Sequence, residues 1–135
     1  MSEDLELVRS IYADWGRGDW SSASWAHPDI EYLMVDEPGS DVHRGLASMA
    51  GAWRSFLGAW EDYRIEPEEF RALEDGRVLV LIRAYGRGKT SGVELTDSTR
   101  GRGGANVFLV RDGLVVRLEA YFDRANAFAD LGLEG

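Results

Sequence analysis

Arg83 and Tyr85 stand two apart in a run that reads as a strand, so both side chains leave the same sheet face. A guanidinium beside a phenol offers hydrogen-bond donors to an anionic or carbonyl oxygen. The histidines, His27 and His43, are the other residues able to move protons near neutral pH. His27 precedes Pro28 and His43 precedes Arg44-Gly45, so both read as turn or cap residues rather than catalytic ones. Two imidazoles sixteen residues apart among scattered carboxylates match no ligand spacing, and no metal is expected. Asp36, Glu37 and Asp41 form an acidic loop, for which solvated charge is the commoner fate and contact with a polar ligand at a rim the rarer one. Alternation along Leu114 to Phe122 puts Val116, Leu118 and Ala120 on one face and Val115, Arg117, Glu119 and Tyr121 on the other. Gly86-Arg87-Gly88-Lys89-Thr90-Ser91-Gly92 lacks the spacing of a phosphate loop and no helix pattern follows it, so it reads as a hairpin connection.

The elements that must position these residues are clearest at the end of the chain. Apolar runs Val107 to Val110 and Leu114 to Phe122 flank Asp112-Gly113, a pair suited to a tight twisted hairpin turn. Asp123 then predicts an N-cap, Arg124 to Leu131 a helix, and Gly132 its stop. Near the start, Leu5, Val8, Tyr12 and Trp15 recur at helical spacing, with Glu3, Asp4 and Glu6 favourably placed in the first turn. A short second helix is expected from about Trp20 to Trp25, ended by Pro28. Leu46, Met49, Ala50, Trp53, Leu57 and Trp60 predict a long helix facing the sheet. Strands are expected at about Tyr63 to Leu73, Arg77 to Gly88, Arg102 to Arg111 and Leu114 to Phe122. The run Val78 to Ile82 does not alternate, which predicts a strand covered on both faces. Helices first and strands afterwards define an α+β class, and no linker or repeat divides the chain, so one domain spanning 1–135 is expected.

The chain has 135 residues, enough to bury roughly two thirds of its unfolded surface around one core. It has no cysteine, which removes disulfides, thiolate ligands and Cys nucleophiles together. A net charge of −9 disfavours nucleic acid and anionic membranes as partners. No apolar run approaches the ~20 residues of a membrane span, and Ser2-Glu3-Asp4 is acidic where a signal peptide would be basic. A cytoplasmic location is therefore expected.

The pattern aromatic strand, Asp112-Gly113 turn, aliphatic strand, Tyr121-Phe122-Asp123 and short helix resembles the SnoaL-like, polyketide cyclase-like branch of the nuclear transport factor 2-like superfamily. His27-Pro28-Asp29-Ile30-Glu31-Tyr32 entering a first strand and His43-Arg44-Gly45 opening a long helix fall in the family's order. The resemblance implies a cone: a curved antiparallel sheet wrapped by N-terminal helices, with a short C-terminal helix and a pocket at the open end. It also implies a homodimer packed sheet to sheet and no cofactor. Tyr12, Trp15, Tyr32, Met34, Trp53, Trp60, Phe108, Leu118 and Ala120 would then line the pocket, although a Trp at helical spacing is more often core than ligand wall.

Where the family's chemistry should sit, the sequence departs from it. The acid that related cyclases and epoxide hydrolases carry three positions before the helix-opening Asp is here Ala120, whose methyl group moves no proton. If Ala120 faces the pocket, Glu119 faces away and pairs with Arg117 or an Arg on a neighbouring strand. The epoxide hydrolases' Arg and Asp two apart find only Arg83 with Tyr85. Against ketosteroid isomerase, the base position falls at Met34, the helix-one Tyr at Ile11 with Tyr12 one step away, and the protonated Asp donor at Asn106, whose amide can donate without a raised pKa. Arg83, Tyr85 and Asn106 are thus the candidate catalytic set. Two functions remain open: a cofactor-independent cyclase, isomerase or hydratase acting on an apolar carbonyl compound, and a ligand-binding domain that has lost the reaction. Either would take a small apolar or aromatic molecule bearing a carbonyl or carboxylate.

Overall fold

The structure is a computed structural model that describes residues 3–17, 24–36, 41–58, 60–73, 76–88 and 103–133. In chain order its elements are α1 (Glu3–Gly16), β1 (Ala26–Met34), β2 (His43–Arg44), α2 (Leu46–Gly58), β3 (Trp60–Ala72), β4 (Arg77–Gly88), β5 (Gly104–Arg111), β6 (Leu114–Tyr121) and α3 (Arg124–Leu131). Local chemistry sets several boundaries as expected. Asp112 and Gly113 both take positive φ, 53° and 78°, as a two-residue turn matched to strand twist requires. The Asp123 side chain accepts from the Ala125 amide at the N-cap of α3, and Gly132 closes that helix in the left-handed conformation.

The strands form one six-stranded sheet in the order β2-β1-β6-β5-β4-β3. The α+β class is met, but the sheet is mixed rather than antiparallel, because β1 runs parallel to β6. Those two strands are joined through the rest of the fold and not by a hairpin, so no tight turn dictates their direction.

On one face of the sheet α1 buries Val8, Ile11, Tyr12 and Trp15 against Ile30, Ile65, Val78, Val80, Ile82, Phe108, Val115 and Leu118. Fully burying each such aliphatic side chain contributes about 1.5–3 kcal/mol. On the opposite face Leu79, Leu81, Ala105, Val107 and Tyr121 pack with Ala127 of α3. The uninterrupted run Val78 to Ile82 is therefore covered on both faces within one chain.

Three further expectations need correction, and one lies mostly outside the described residues. Trp60 opens β3, paired with Gly88, instead of ending α2. The expected helix from Trp20 to Trp25 falls largely outside the described residues; Trp25 itself lies in a turn, and Pro28 lies inside β1. His27 accordingly belongs to β1, where its Nδ1 accepts from the Asp29 amide at 2.9 Å. Finally, the β5–β6 register shifts between Leu109 and Val110, so Val115 joins the core beside Leu118 despite its odd position. A bulge of this kind adds one unpaired residue and reverses the face of everything before it. Among the described residues, no helix is long and apolar enough to cross a membrane.

Candidate functional site

Helical spacing in α1 brings Tyr12 onto the inward face one turn after Val8, and the sheet receives its ring edge-on. The ring meets Trp15 at 4.9 Å, Phe70 at 5.7 Å and Phe108 at 5.9 Å between centroids, all near-perpendicular. Edge-to-face contacts of this kind hold an aromatic ring in one orientation. The hydroxyl is thereby aimed at β5, where Asn106 Nδ2 donates to it at 2.6 Å. Asn106 is 6% exposed and is the one buried polar or charged side chain besides the phenols among the described residues. Tyr12, not Ile11, is the helix-one residue that meets it.

Asn106 sits between Val80 of β4 and Ala120 of β6, its direct partners across the sheet. Ala120 also faces Met34 of β1, and Leu118 faces both Tyr32 and Phe108. Tyr32 meets Trp53 at 6.0 Å, and Trp53 meets Trp15 at 5.4 Å and Trp25 at 6.0 Å. Register and packing therefore bring Tyr12, Trp15, Tyr32, Met34, Trp53, Asn106, Phe108, Leu118 and Ala120 to the α1 side of the sheet. Trp60 belongs to β3 and not to α2.

Burial drives the Tyr12 hydroxyl far above its usual range, against the opposing effect of the Asn106 hydrogen bond and with added repulsion from Tyr63. Tyr63 is itself pushed well up, first by burial and then by the neighbouring Tyr32. These phenols are neutral donors at physiological pH and not bases. Tyr63 is a buried phenol on this core that sequence reasoning misses. Its spacing of two from Ile65 near the start of β3 was the signal that could have placed it on the inner face.

Arg83 and Tyr85 do not join this set. Val80 and Ile82 of β4 face α1, so Arg83 and Tyr85, at odd positions like Leu79 and Leu81, face away from it. Arg83 Nε lies 3.2 Å from Glu68 Oε2, and Arg124 donates to the other oxygen of the same carboxylate and to the Ile82 carbonyl. The hydrogen bond from Arg124, followed by that from Arg83, holds the Glu68 carboxyl below its usual range. The Tyr85 ring lies under the Arg64 guanidinium at 4.5 Å.

The remaining polar candidates have structural partners. Glu119 accepts from Arg117 at 3.1 Å, and Arg117 also reaches Glu31 at 2.7 Å. Asp36 accepts from the amides of Phe122 and Asp123 and from Asn126 Nδ2, tying the end of β1 to the start of α3. His43 Nδ1 lies 3.2 Å from Ser48 Oγ at the entry to α2.

A mixed six-stranded sheet with α1 and α2 on one face, enclosing a neutral phenol–amide pair, defines a nuclear transport factor 2-like fold. The SnoaL-like domain model matches residues 8–118, and the chain belongs to that family. No curated protein matches it. Among solved structures it is similar to a nuclear transport factor 2-like protein of unknown function from Burkholderia pseudomallei, with 20% identity, TM-score 0.73, and 96% of this chain and 97% of that one covered. It is also similar to TerC co-crystallised with polyporic acid, with 24% identity, TM-score 0.68, and 96% and 98% covered. A candidate polyketide cyclase from Sinorhizobium meliloti aligns with 23% identity and TM-score 0.63 over 85% of this chain and 93% of that one.

Proposed function

We propose that this domain binds a small apolar molecule through an acceptor oxygen at the Tyr12–Asn106 pair, without supplying an acid–base step of its own. The observation that carries this reading is the use of the Tyr12 hydroxyl. Its oxygen is occupied by the Asn106 amide, while its hydrogen meets no acceptor among the described residues. A buried donor of that kind costs about 1–3 kcal/mol unless an acceptor arrives. Ala120, beside Asn106, offers neither proton nor base. Co-crystallisation of the similar TerC with polyporic acid supports an organic ligand.

A cofactor-independent cyclase, isomerase or hydratase is the second reading. The same donors that bind a carbonyl would stabilise an oxyanion formed from it. The similarity to a candidate polyketide cyclase supports that reading, which needs a proton acceptor from outside the phenol–amide pair. A homodimer is proposed on the family resemblance alone, since β4 finds both of its covers within one chain.

The test is a titration with acetonaphthone, an apolar aromatic ketone, followed by quenching of the Trp15, Trp25 and Trp53 fluorescence. Saturable binding that weakens about 3- to 10-fold in Tyr12→Phe is expected, the worth of one neutral hydrogen bond. Unchanged affinity in that variant would contradict the reading.

A further inference from the structure

We infer that the ligand of this site is a neutral compound whose carbonyl has an O–H or N–H donor beside it, and that Asn106 Oδ1 is the acceptor reading that donor. The inference rests on the reading that the Tyr12–Asn106 pair receives a ligand oxygen. A carboxamide has two ends. Asn106 Nδ2 is committed to the Tyr12 hydroxyl at 2.6 Å, which leaves the Tyr12 hydrogen as a donor and Asn106 Oδ1 as an acceptor. Among the described residues no group donates to that oxygen. Turning the amide end for end would exchange these roles and still leave the bonded pair with a donor and an acceptor.

The sheet explains why the oxygen stays unanswered. Asn106 is flanked by Val80 of β4 and Ala120 of β6, and Phe108 stands two residues along its own strand. None of these side chains has a polar hydrogen. Asn106 is nonetheless buried, where an acceptor left without a donor is unfavourable. Its oxygen is not among the side-chain atoms that are sealed from solvent and lack a partner, so it stays within reach of an entering group. A plain ketone answers the donor of the pair and leaves the acceptor unmet. A carboxylate brings a charge and no hydrogen, which sets oxygen against oxygen at Oδ1. A carbonyl with an adjacent N–H or O–H answers both atoms at once.

Three probes of nearly one shape separate the possibilities: naphthamide, acetonaphthone and naphthoate, which place an amino group, a methyl group or a second oxygen beside the same carbonyl. They are titrated by calorimetry at neutral pH. Naphthamide is expected to bind about 3- to 10-fold more tightly than acetonaphthone, although water holds the amide more strongly. In Asn106→Leu, which keeps the side chain's size and removes its acceptor, the order should reverse. Tyr12→Phe should weaken both neutral probes. If acetonaphthone binds, weakens in Tyr12→Phe and is at least as tight as naphthamide in the unmodified protein, the inference fails while the site stands. A preference for naphthamide that survives in a folded Asn106→Leu also overturns it, because the acceptor then lies elsewhere. The urea midpoint of that variant shows whether it folds, and the comparison in the unmodified protein decides the matter where it does not. Tightest binding of naphthoate would mean recognition of an anion and would overturn the inference as well. If no probe binds, or Tyr12→Phe leaves both neutral probes unchanged, the underlying site reading fails and this inference falls with it.

Discussion

Asn106 and Ala120 are direct partners across β5 and β6, so the amide that holds the Tyr12 hydroxyl lies beside a side chain that is only a methyl group. The pair keeps donors and lacks a base. Buried donors in apolar surroundings suit recognition of a carbonyl oxygen better than proton transfer.

The buried phenols predict alkaline lability. Tyr12 and Tyr63 are both raised above the ordinary phenol value of 10.0, chiefly by burial. Unfolded, they ionise near that value; folded, they stay protonated. Their contribution to stability is intact below about pH 10 and falls above it, by about 1.4 kcal/mol per pH unit for each phenol. Urea unfolding between pH 8 and about 11 should show this fall, shallower in Tyr12→Phe. Phenolate absorbance from all five tyrosines appearing before any unfolding would sink the prediction.

Asp36 predicts a stability loss with a local cause. Its carboxylate accepts from two backbone amides, at 2.8 and 3.0 Å, and from Asn126. Asp36→Ala is expected to cost about 2–3 kcal/mol in chemical denaturation, because the amides of Phe122 and Asp123 lose a charged acceptor. A change below about 0.5 kcal/mol would mean that water replaces the carboxylate fully.

Replacing Arg83 is expected to do little. Its ion pair with Glu68 is partly exposed, and Arg124 holds the same carboxylate. Arg83→Met should change stability by at most about 1 kcal/mol and leave acetonaphthone affinity unchanged. A selective loss of binding would return Arg83 to the site and contradict the face assignment.

How far such faces are legible in the sequence depends on whether local chemistry or distant register decides them. The Asp112-Gly113 turn, the Asp123 cap and the α1 face bearing Val8, Tyr12 and Trp15 depend on neighbours within one turn, and each is found as read. Arg83 is different. The run before it, Val78 to Ile82, is apolar on both faces, so nothing in its alternation says which face the next residue joins. Only the cover on each side, α1 over Val80 and α3 over Leu79, decides it. Val115 was hidden by a bulge that no residue type announces, and the parallel pairing of β1 with β6 joins segments some ninety residues apart. The meeting of Tyr12 with Asn106 belongs to the same class: each was visible as a candidate, but their hydrogen bond spans 94 residues.

The most direct test of the account is the infrared carbonyl band of acetonaphthone bound to the protein, compared with the ketone in an alkane solvent. If the Tyr12 hydroxyl donates to the ligand oxygen, the band shifts to lower wavenumber on binding and moves back toward its alkane position in Tyr12→Phe. A bound band at the alkane position, unchanged by that substitution, would mean that the pair does not receive the ligand and would contradict the central claim.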